Sequence, residues 1–236
     1  HNVGIGFRAL DSSTTCGNVA IGYQAAYNQS SGKCNVVIGC RVMYNAAGGD
    51  EFVAVGHKAG YSNNADFNTA IGSCALYSNT TGTGNLAVGH CSLFANVTAN
   101  NNVGVGDQTI RNNTTGYSNV ALGYNALLIN TEGRHNQAIG TETLKCNTTG
   151  CCNIGIGTEA LRTNSTGGNN TGIGHLAMYC NTIGERNIAI GISSQYCNLS
   201  VHDNVGMGFR ALCKNRTGAA NTALGSYAMV TNTIGC

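Results

Sequence analysis

The chain repeats itself about every 17 residues from end to end, and this internal repeat constrains its fold more than any other feature. Fourteen units share the consensus N-V-A-I-G-x-x-A-L-x-x-N-T-T-G-x-x; the first and fourth have 16 residues and every other complete unit has 17. A unit this short cannot bury its own apolar side chains, so the repeat predicts coils stacked on one another. The units begin at Asn2, Asn18, Asn35, Phe52, Asn68, Asn85, Asn102, Asn119, Asn136, Asn153, Asn170, Asn187, Asn204 and Asn221.

Two columns of the repeat are aliphatic, and we interpret them as the core. The ninth position is mostly Leu, Met or Ile, whereas the third is Ala or Gly in every unit except for Val37, and the fifth is always Gly. Large side chains on one face of a strand and small ones on the other predict burial of both faces, the small one in close contact with another backbone. The fourth position, which is never polar, forms the predicted core ladder: Ile5, Ile21, Ile38, Val55, Ile71, Val88, Val105, Leu122, Ile139, Ile156, Ile173, Ile190, Met207 and Leu224.

The remaining columns predict turns and ladders of polar side chains. The N-T-T-G segment has the Asn, Thr and Gly residues that turns use, so each unit is expected to hold two short strands and two turns. Asn recurs at the first and twelfth positions, where stacked side-chain amides can hydrogen-bond along the stack. No stretch has a helical period. The predicted fold is therefore all-β, a parallel β-solenoid (β-roll) of about fourteen coils, in a single continuous array over residues 1–236 that is uncapped at both ends.

The repeat resembles the head repeat of trimeric autotransporter adhesins and related repeats of phage and large-virus tail-fibre proteins. The resemblance is carried by N-V-A-I-G-Y-Q-A at 18–25, N-T-A-I-G at 68–72 and N-I-A-I-G at 187–191, and it extends over the whole chain. It implies a left-handed parallel β-roll, often with three chains side by side, exposed on a cell or a virion. The small Ala/Gly face would then suit the contact between chains.

Composition and charge exclude several functional classes. Only 9% of residues are charged, and the 12 Lys and Arg are scattered rather than clustered, so a nucleic-acid partner is not expected. Polar and apolar residues alternate too finely for insertion into a membrane. The acids do not converge with a nucleophile or base, and His57, His90 and His175 lie in non-adjacent units, so no catalytic set, metal site or cofactor is predicted. We therefore do not expect an enzyme.

Twelve cysteines without a C-x-x-C motif favour an oxidising, extracellular setting. Cys74 and Cys91 share one column in adjacent units, as do Cys180 and Cys197, and residues stacked in this way lie within disulfide range. Both pairs are candidate disulfides, with stacked free thiols as the alternative. Cys236 is a candidate link between chains, because His1 of a second chain placed after it would continue the repeat in phase.

Sequons of the form N-x-S/T are dense, although the N-T-T turn consensus generates several of them by itself. A glycosylating source would place a column of sugars along one edge of the stack, which would explain solubility with so little charge. The candidate glycosylation sites are Asn28, Asn79, Asn96, Asn113, Asn147, Asn164, Asn198 and Asn215.

These features favour a structural subunit or shaft segment of an extracellular, cell-surface or virion-surface fibre, whose main partner is itself, as a lateral trimer, an end-to-end filament or both. The alternative is a receptor- or glycan-binding head, in which tyrosines such as Tyr23, Tyr27, Tyr44, Tyr61, Tyr77 and Tyr124 would stack on sugar. A lesser alternative is ice binding through the Thr pairs, a pattern that Glu132, Ile183, Leu199, Arg216 and Ile234 interrupt.

Overall fold

The computed structural model describes residues 1–232, and the fold is an all-β parallel β-solenoid, as the repeat predicted. No helix occurs in that part of the chain. The chain divides into two compact units, His1–Tyr117 and Ser118–Cys236. Each unit contains seven strands of three residues, one strand for every sequence repeat.

The first unit is built on strands β1 to β7, which pair in chain order and all run parallel. Each residue pairs with the residue one repeat further on, so that Ile71 pairs with Val88 and Val88 with Val105. The direct stacking of successive coils is thereby confirmed. The strands are β1 (Val3–Ile5), β2 (Val19–Ile21), β3 (Val36–Ile38), β4 (Val53–Val55), β5 (Thr69–Ile71), β6 (Leu86–Val88) and β7 (Val103–Val105).

The second unit repeats this arrangement with β8 to β14, again parallel and paired in chain order. Its register has the same period, since Ile139 pairs with Ile156 and Ile156 with Ile173. The strands are β8 (Val120–Leu122), β9 (Gln137–Ile139), β10 (Ile154–Ile156), β11 (Thr171–Ile173), β12 (Ile188–Ile190), β13 (Val205–Met207) and β14 (Thr222–Leu224).

The residues of the predicted core ladder do stack on one another from coil to coil, but the prediction that they lie in the core is wrong. In β2 to β14 the middle residue of each strand, the small third-position residue, is buried, whereas both flanking residues are exposed or half-buried. None of the predicted core residues is buried: Ile5, Ile21, Ile38, Val55, Ile71, Val88, Val105, Leu122, Ile139, Ile156, Ile173, Ile190, Met207 and Leu224 all point outward.

The physical reason for this inversion is that the ninth-position side chain already fills the interior. A methyl group placed on Gly172 would lie 3.1 Å from Cγ of Leu161, and one on Gly155 would lie 3.5 Å from Cγ of Leu144. The leucine of one coil therefore packs against the strand of the next and leaves room for a small side chain only. The large aliphatic residues of the strand must then face outward, because successive side chains alternate between the faces.

Where an inward-facing residue is larger than usual, the nearby ninth-position residue is smaller than usual. Val37 is fully buried at a third position, and the preceding coil has Ala26 in place of the usual leucine. Phe52, which replaces the first-position Asn, is also fully buried, and its ring occupies the space in which a side chain at Gly60 would stand. Volume is therefore conserved inside the coils.

Two ladders of buried asparagine complete the interior, as the sequence predicted. At the first position, Oδ1 of Asn68 accepts the backbone N–H of Asn85 at 2.8 Å, and Oδ1 of Asn85 accepts that of Asn102 at 3.0 Å. At the twelfth position, Nδ2 of Asn164 donates to Oδ1 of Asn147 at 2.8 Å. These amides also donate to backbone carbonyls of their own coil, so they satisfy polar groups that a narrow coil cannot expose to water.

The second strand expected in each unit does not form. Residues at the seventh and ninth positions have positive φ angles, for example 56° at Cys74 and 51° at Leu76, which is left-handed rather than extended backbone. Their amides nevertheless hydrogen-bond to neighbouring coils, from Cys74 N–H to the carbonyl of His57 and from Leu76 N–H to that of Ser92. This bonding between coils offsets the cost of a left-handed conformation, about 1–2 kcal/mol per residue.

Candidate functional site

The outward strand faces form a continuous apolar stripe along each unit. We call the second- and fourth-position side chains of β1–β7, and separately those of β8–β14, the outer ladder of the respective unit. In the first unit all of these side chains except for Thr69 are aliphatic, and Ile71 at the middle of the unit is 40% exposed. In the second unit Gln137, Thr171 and Thr222 are the polar members.

Neither outer ladder contains a charged residue. The solvent-facing side of a sheet usually carries polar side chains, while the apolar side chains face the core. An uncharged aliphatic stripe on an exposed face is typical of an interaction surface. The outer ladder can therefore bury its aliphatic side chains against a second apolar surface.

The tenth-position aromatic rings of the first unit form a continuous stack along the coils. The rings of Tyr27, Tyr44, Tyr61, Tyr77 and Phe94 follow one another at centroid distances of 5.1, 5.5, 4.8 and 5.0 Å, with interplanar angles between 7° and 21°. A guanidinium covers each end, because Arg8 lies over Tyr27 at 4.5 Å and Arg111 over Phe94 at 5.5 Å.

This stack is poorly suited to the sugar binding that the sequence suggested for Tyr27, Tyr44, Tyr61 and Tyr77. Stacking on a sugar requires an open ring face, whereas here each ring face meets another ring or an arginine. Tyr23 and Tyr124, at the sixth position, are about half exposed, and Tyr23 stacks on Phe7 at 5.6 Å. The geometry therefore gives glycan binding at the tenth-position stack no support.

The thirteenth-position hydroxyl groups form a second regular array, relevant to the ice-binding alternative. Oγ1 of Thr148 donates to the carbonyl of Ser165 at 3.1 Å, and Oγ of Ser165 donates to the carbonyl of Thr182 at 3.0 Å. Oγ1 of Thr182 donates in turn to the carbonyl of Leu199 at 2.8 Å. These hydroxyl protons are committed within the protein, so the array offers water only the oxygen lone pairs.

Seven of the eight candidate glycosylation sites cannot carry a sugar in this fold. Their side-chain amides are fully buried at the twelfth position, where they form the ladder described above or bond to buried neighbours. A glycan on Nδ2 would have to enter the packed interior of the coil. Asn28 alone among the eight is half-buried rather than buried. The seven corrected sites are Asn79, Asn96, Asn113, Asn147, Asn164, Asn198 and Asn215.

The candidate disulfide pairs Cys74–Cys91 and Cys180–Cys197 are free thiols in this structure. Cys180 and Cys197 do lie close together, because the Cys197 thiol contributes to the raised pKa of the Cys180 thiol. Closing either pair would remove two hydrogen atoms, which requires an oxidant. The candidate inter-chain residue Cys236 lies outside the described residues.

Burial of the Cys180 thiol, together with the neighbouring Cys197 thiol, raises its pKa to about 11. A raised pKa leaves less thiolate at neutral pH, so we expect Cys180 to react with iodoacetamide at pH 8 roughly 10–100-fold more slowly than the exposed Cys40. Peptide mapping by mass spectrometry over a time course checks this rate ratio. Equal alkylation rates at the two residues would contradict the raised pKa of the half-buried Cys180 thiol.

Sequence reasoning missed one cluster of reactive side chains. Nε2 of His90 lies 3.3 Å from Sγ of Cys91, and Nδ1 of His90 lies 3.0 Å from Oδ1 of Asp107. His90 and Asp107 share the sixth position of adjacent units, so column alignment could have revealed their proximity. The distances match those of a nucleophile, a base and an orienting acid, but burial and the nearby Cys74 raise the pKa of the Cys91 thiol, which favours its unreactive protonated form.

No group of three or more His, Cys, Asp or Glu side chains in residues 1–232 is placed to hold a metal ion, and neither His57 nor His175 belongs to one. Over the same residues, no helix has the length and hydrophobicity needed to cross a bilayer.

Comparison of the chain with protein-family models, with curated proteins and with solved structures gave no match. A functional proposal for this protein therefore rests on the geometry of its coils.

Proposed function

We propose that this protein is a structural subunit of an extracellular fibre, in which copies of the chain associate side by side through their outer ladders. The observation that carries the proposal is the outward orientation of the two columns of the outer ladder, which are largely aliphatic and contain no charged residue. Burying these columns against a second copy would remove apolar surface from water, which is the main driving force for association between proteins.

The area of one outer ladder indicates that an interface would have to extend along all the coils of a unit. One strand of three residues covers about 10 Å along the strand and about 4.8 Å across it, so seven strands present roughly 340 Å². A stable interface usually buries about 800 Å² on each partner. All seven strands of a unit together therefore cover less than half of that area, so residues flanking the strands must contribute as well, which favours a long lateral contact over a local docking patch.

An extracellular, cell-surface or virion-surface location belongs to the same proposal. It is supported by the resemblance of the repeat to surface-fibre proteins. The unpaired thiols do not add support, because an oxidising setting would favour their pairing. No catalytic role is part of the proposal.

Placing charge on the outer ladder is expected to abolish lateral association without unfolding the protein. In the double variant Ile38→Lys/Ile71→Lys, two side chains that are 36% and 40% exposed become cationic. Burying them in an interface would then cost several kcal/mol per unpaired charge. We expect the dissociation constant measured by sedimentation velocity to rise at least 100-fold.

The matched control is Thr83→Lys, which places a lysine at the sixteenth position, where another coil naturally carries Lys33. Thr83 is exposed and is not part of the outer ladder, so association should be unchanged. Circular dichroism should show the same melting behaviour for the double variant and the control to within a few degrees. Association that survives in the folded double variant would refute the outer ladder as the interface.

A further inference from the structure

The tenth-position column of the second unit contains a second, shorter aromatic stack. The rings of Tyr179 and Tyr196 lie 5.3 Å apart with an interplanar angle of 9°. Arg162 lies over the Tyr179 ring at 5.7 Å and so covers that end of the stack. At the other end, the next coil carries Cys213 at the tenth position, where a third ring would continue the column.

A cavity open to the surface adjoins this end of the stack. Tyr196 and Cys213 both line a space of about 400 Å³, a size typical of small-molecule sites. Leu176 forms an apolar part of the lining, and Arg210 and Lys214 also border the cavity. The site thus combines an aromatic platform, an aliphatic wall and two cationic side chains in a chain where charge is scarce.

Both cations are free to meet an anion. Arg210 and Lys214 are exposed, and neither forms an ion pair within residues 1–232, while the Arg210 guanidinium lies over Phe209 at 5.3 Å. Burial raises the pKa of the Cys213 thiol, and the nearby positive charges of Arg210 and Lys214 partly offset this increase. Burial raises the pKa of Tyr196, and the nearby negative charge of Glu159 adds a smaller increase.

We propose that this cavity binds a small aromatic anion, whose ring stacks on Tyr196 in place of the absent third ring. Its acidic group is held by Arg210 and Lys214. The aromatic stack of the first unit provides the contrast, because arginines cover both of its ends and no ring face is left open. The site is independent of the outer ladder, and its role goes beyond that of a structural subunit.

The test is a calorimetric titration with 1-naphthoate, which supplies both a planar ring system and a carboxylate. Saturable binding at one site per chain is expected. Two comparison compounds separate the contributions, since 1-naphthalenemethanol retains the rings without the charge and cyclohexanecarboxylate retains the charge without an aromatic face. Each should bind at least 10-fold more weakly than 1-naphthoate.

Two variants test the location. Cys213→Tyr restores the absent ring and should abolish binding by filling the cavity, while the column already accepts tyrosine at 179 and 196. Its matched control, Cys40→Tyr, places tyrosine at an exposed sixth position, where another coil carries Tyr23, and should leave binding unchanged. The exposed pair Arg210→Gln/Lys214→Gln keeps the test decisive if Cys213→Tyr does not fold, and should weaken binding at least 10-fold.

Absence of saturable binding by 1-naphthoate would overturn the proposal. So would binding that persists unchanged in the folded Cys213→Tyr protein or in the Arg210→Gln/Lys214→Gln protein. Equal affinity for 1-naphthoate and for either comparison compound would also reject it, because the ring and the carboxylate would then not act together.

Discussion

Replacing Gly174 with alanine is expected to destabilise the second unit by about 4 kcal/mol, which is a large part of the stability of an ordinary domain. Gly174 has a φ of 129°, a conformation that side chains rarely adopt, and a methyl group there would lie 2.7 Å from the carbonyl of Gly191 in the next coil. Backbone strain and overpacking each contribute about 1–3 kcal/mol. Urea denaturation followed by circular dichroism measures the loss.

Gly172→Ala provides the matched control, two residues away on the same strand. Gly172 has no such strained angle, and its nearest neighbour is the flexible side chain of Leu161 at 3.1 Å. Most coils carry alanine at this third position, so the expected change is below about 1 kcal/mol. Similar losses in the two variants would mean that the fifth-position glycine does not set the distance between coils.

Removing one amide from the first-position ladder is expected to cost about 4 kcal/mol as well. In Asn85→Ala, the backbone N–H of Asn102 loses its acceptor at 3.0 Å and stays away from water in the interior. The carbonyl of Ala99 loses the Asn85 donor at 2.8 Å but keeps the Asn96 donor at 2.9 Å. A buried polar group left without a partner costs about 1–3 kcal/mol, and the space vacated by the side chain adds to the loss.

The control for the asparagine ladder is Asn45→Ala, which removes an exposed side chain from the same unit. Its effect on the free energy of unfolding should stay within about 0.5 kcal/mol, as at most surface positions. The two variants are compared by urea denaturation under identical conditions. If Asn85→Ala were as stable as Asn45→Ala, the ladder would contribute no more than a solvated amide does.

The stacking of coils could be predicted from the sequence, because the repeat keeps its period over the whole chain. Residues one repeat apart must then pair, as Val88 and Val105 do. The asparagine ladders were predictable for the same reason, since an amide that recurs at one position can bond to its own copy in the next coil. Both predictions depend only on period and hydrogen-bonding capacity.

The orientation of the strands could not be predicted by the rule that large apolar residues lie inside. Alternation separates the two faces of a strand but does not show which of them faces the interior. Ile71 and Ala70 occupy opposite faces, and the smaller of the two is buried because the ninth-position side chains fill the interior. The compensation between Phe52 and Gly60 was visible in the sequence and would have indicated where the interior lies.

Local sequence preference also failed to predict the left-handed backbone that replaces the expected second strand. Left-handed backbone at residues such as Leu76, Leu93 and Leu144 has no signal in the residue type, because leucine rarely adopts it. The conformation is imposed by hydrogen bonds to neighbouring coils, as in the bond from Leu93 N–H to the carbonyl of Thr109. A tertiary requirement that recurs in every coil thus overrides the preference of single residues.

Sedimentation velocity of the unmodified chain over a dilution series, from high micromolar to nanomolar concentration, tests most directly whether the outer ladders join copies of this protein. The account predicts discrete oligomers at high concentration that dissociate reversibly on dilution, with an affinity that is insensitive to salt because the interface is uncharged. A chain that stays monomeric over the whole range would contradict it, and so would association that disappears when salt is added.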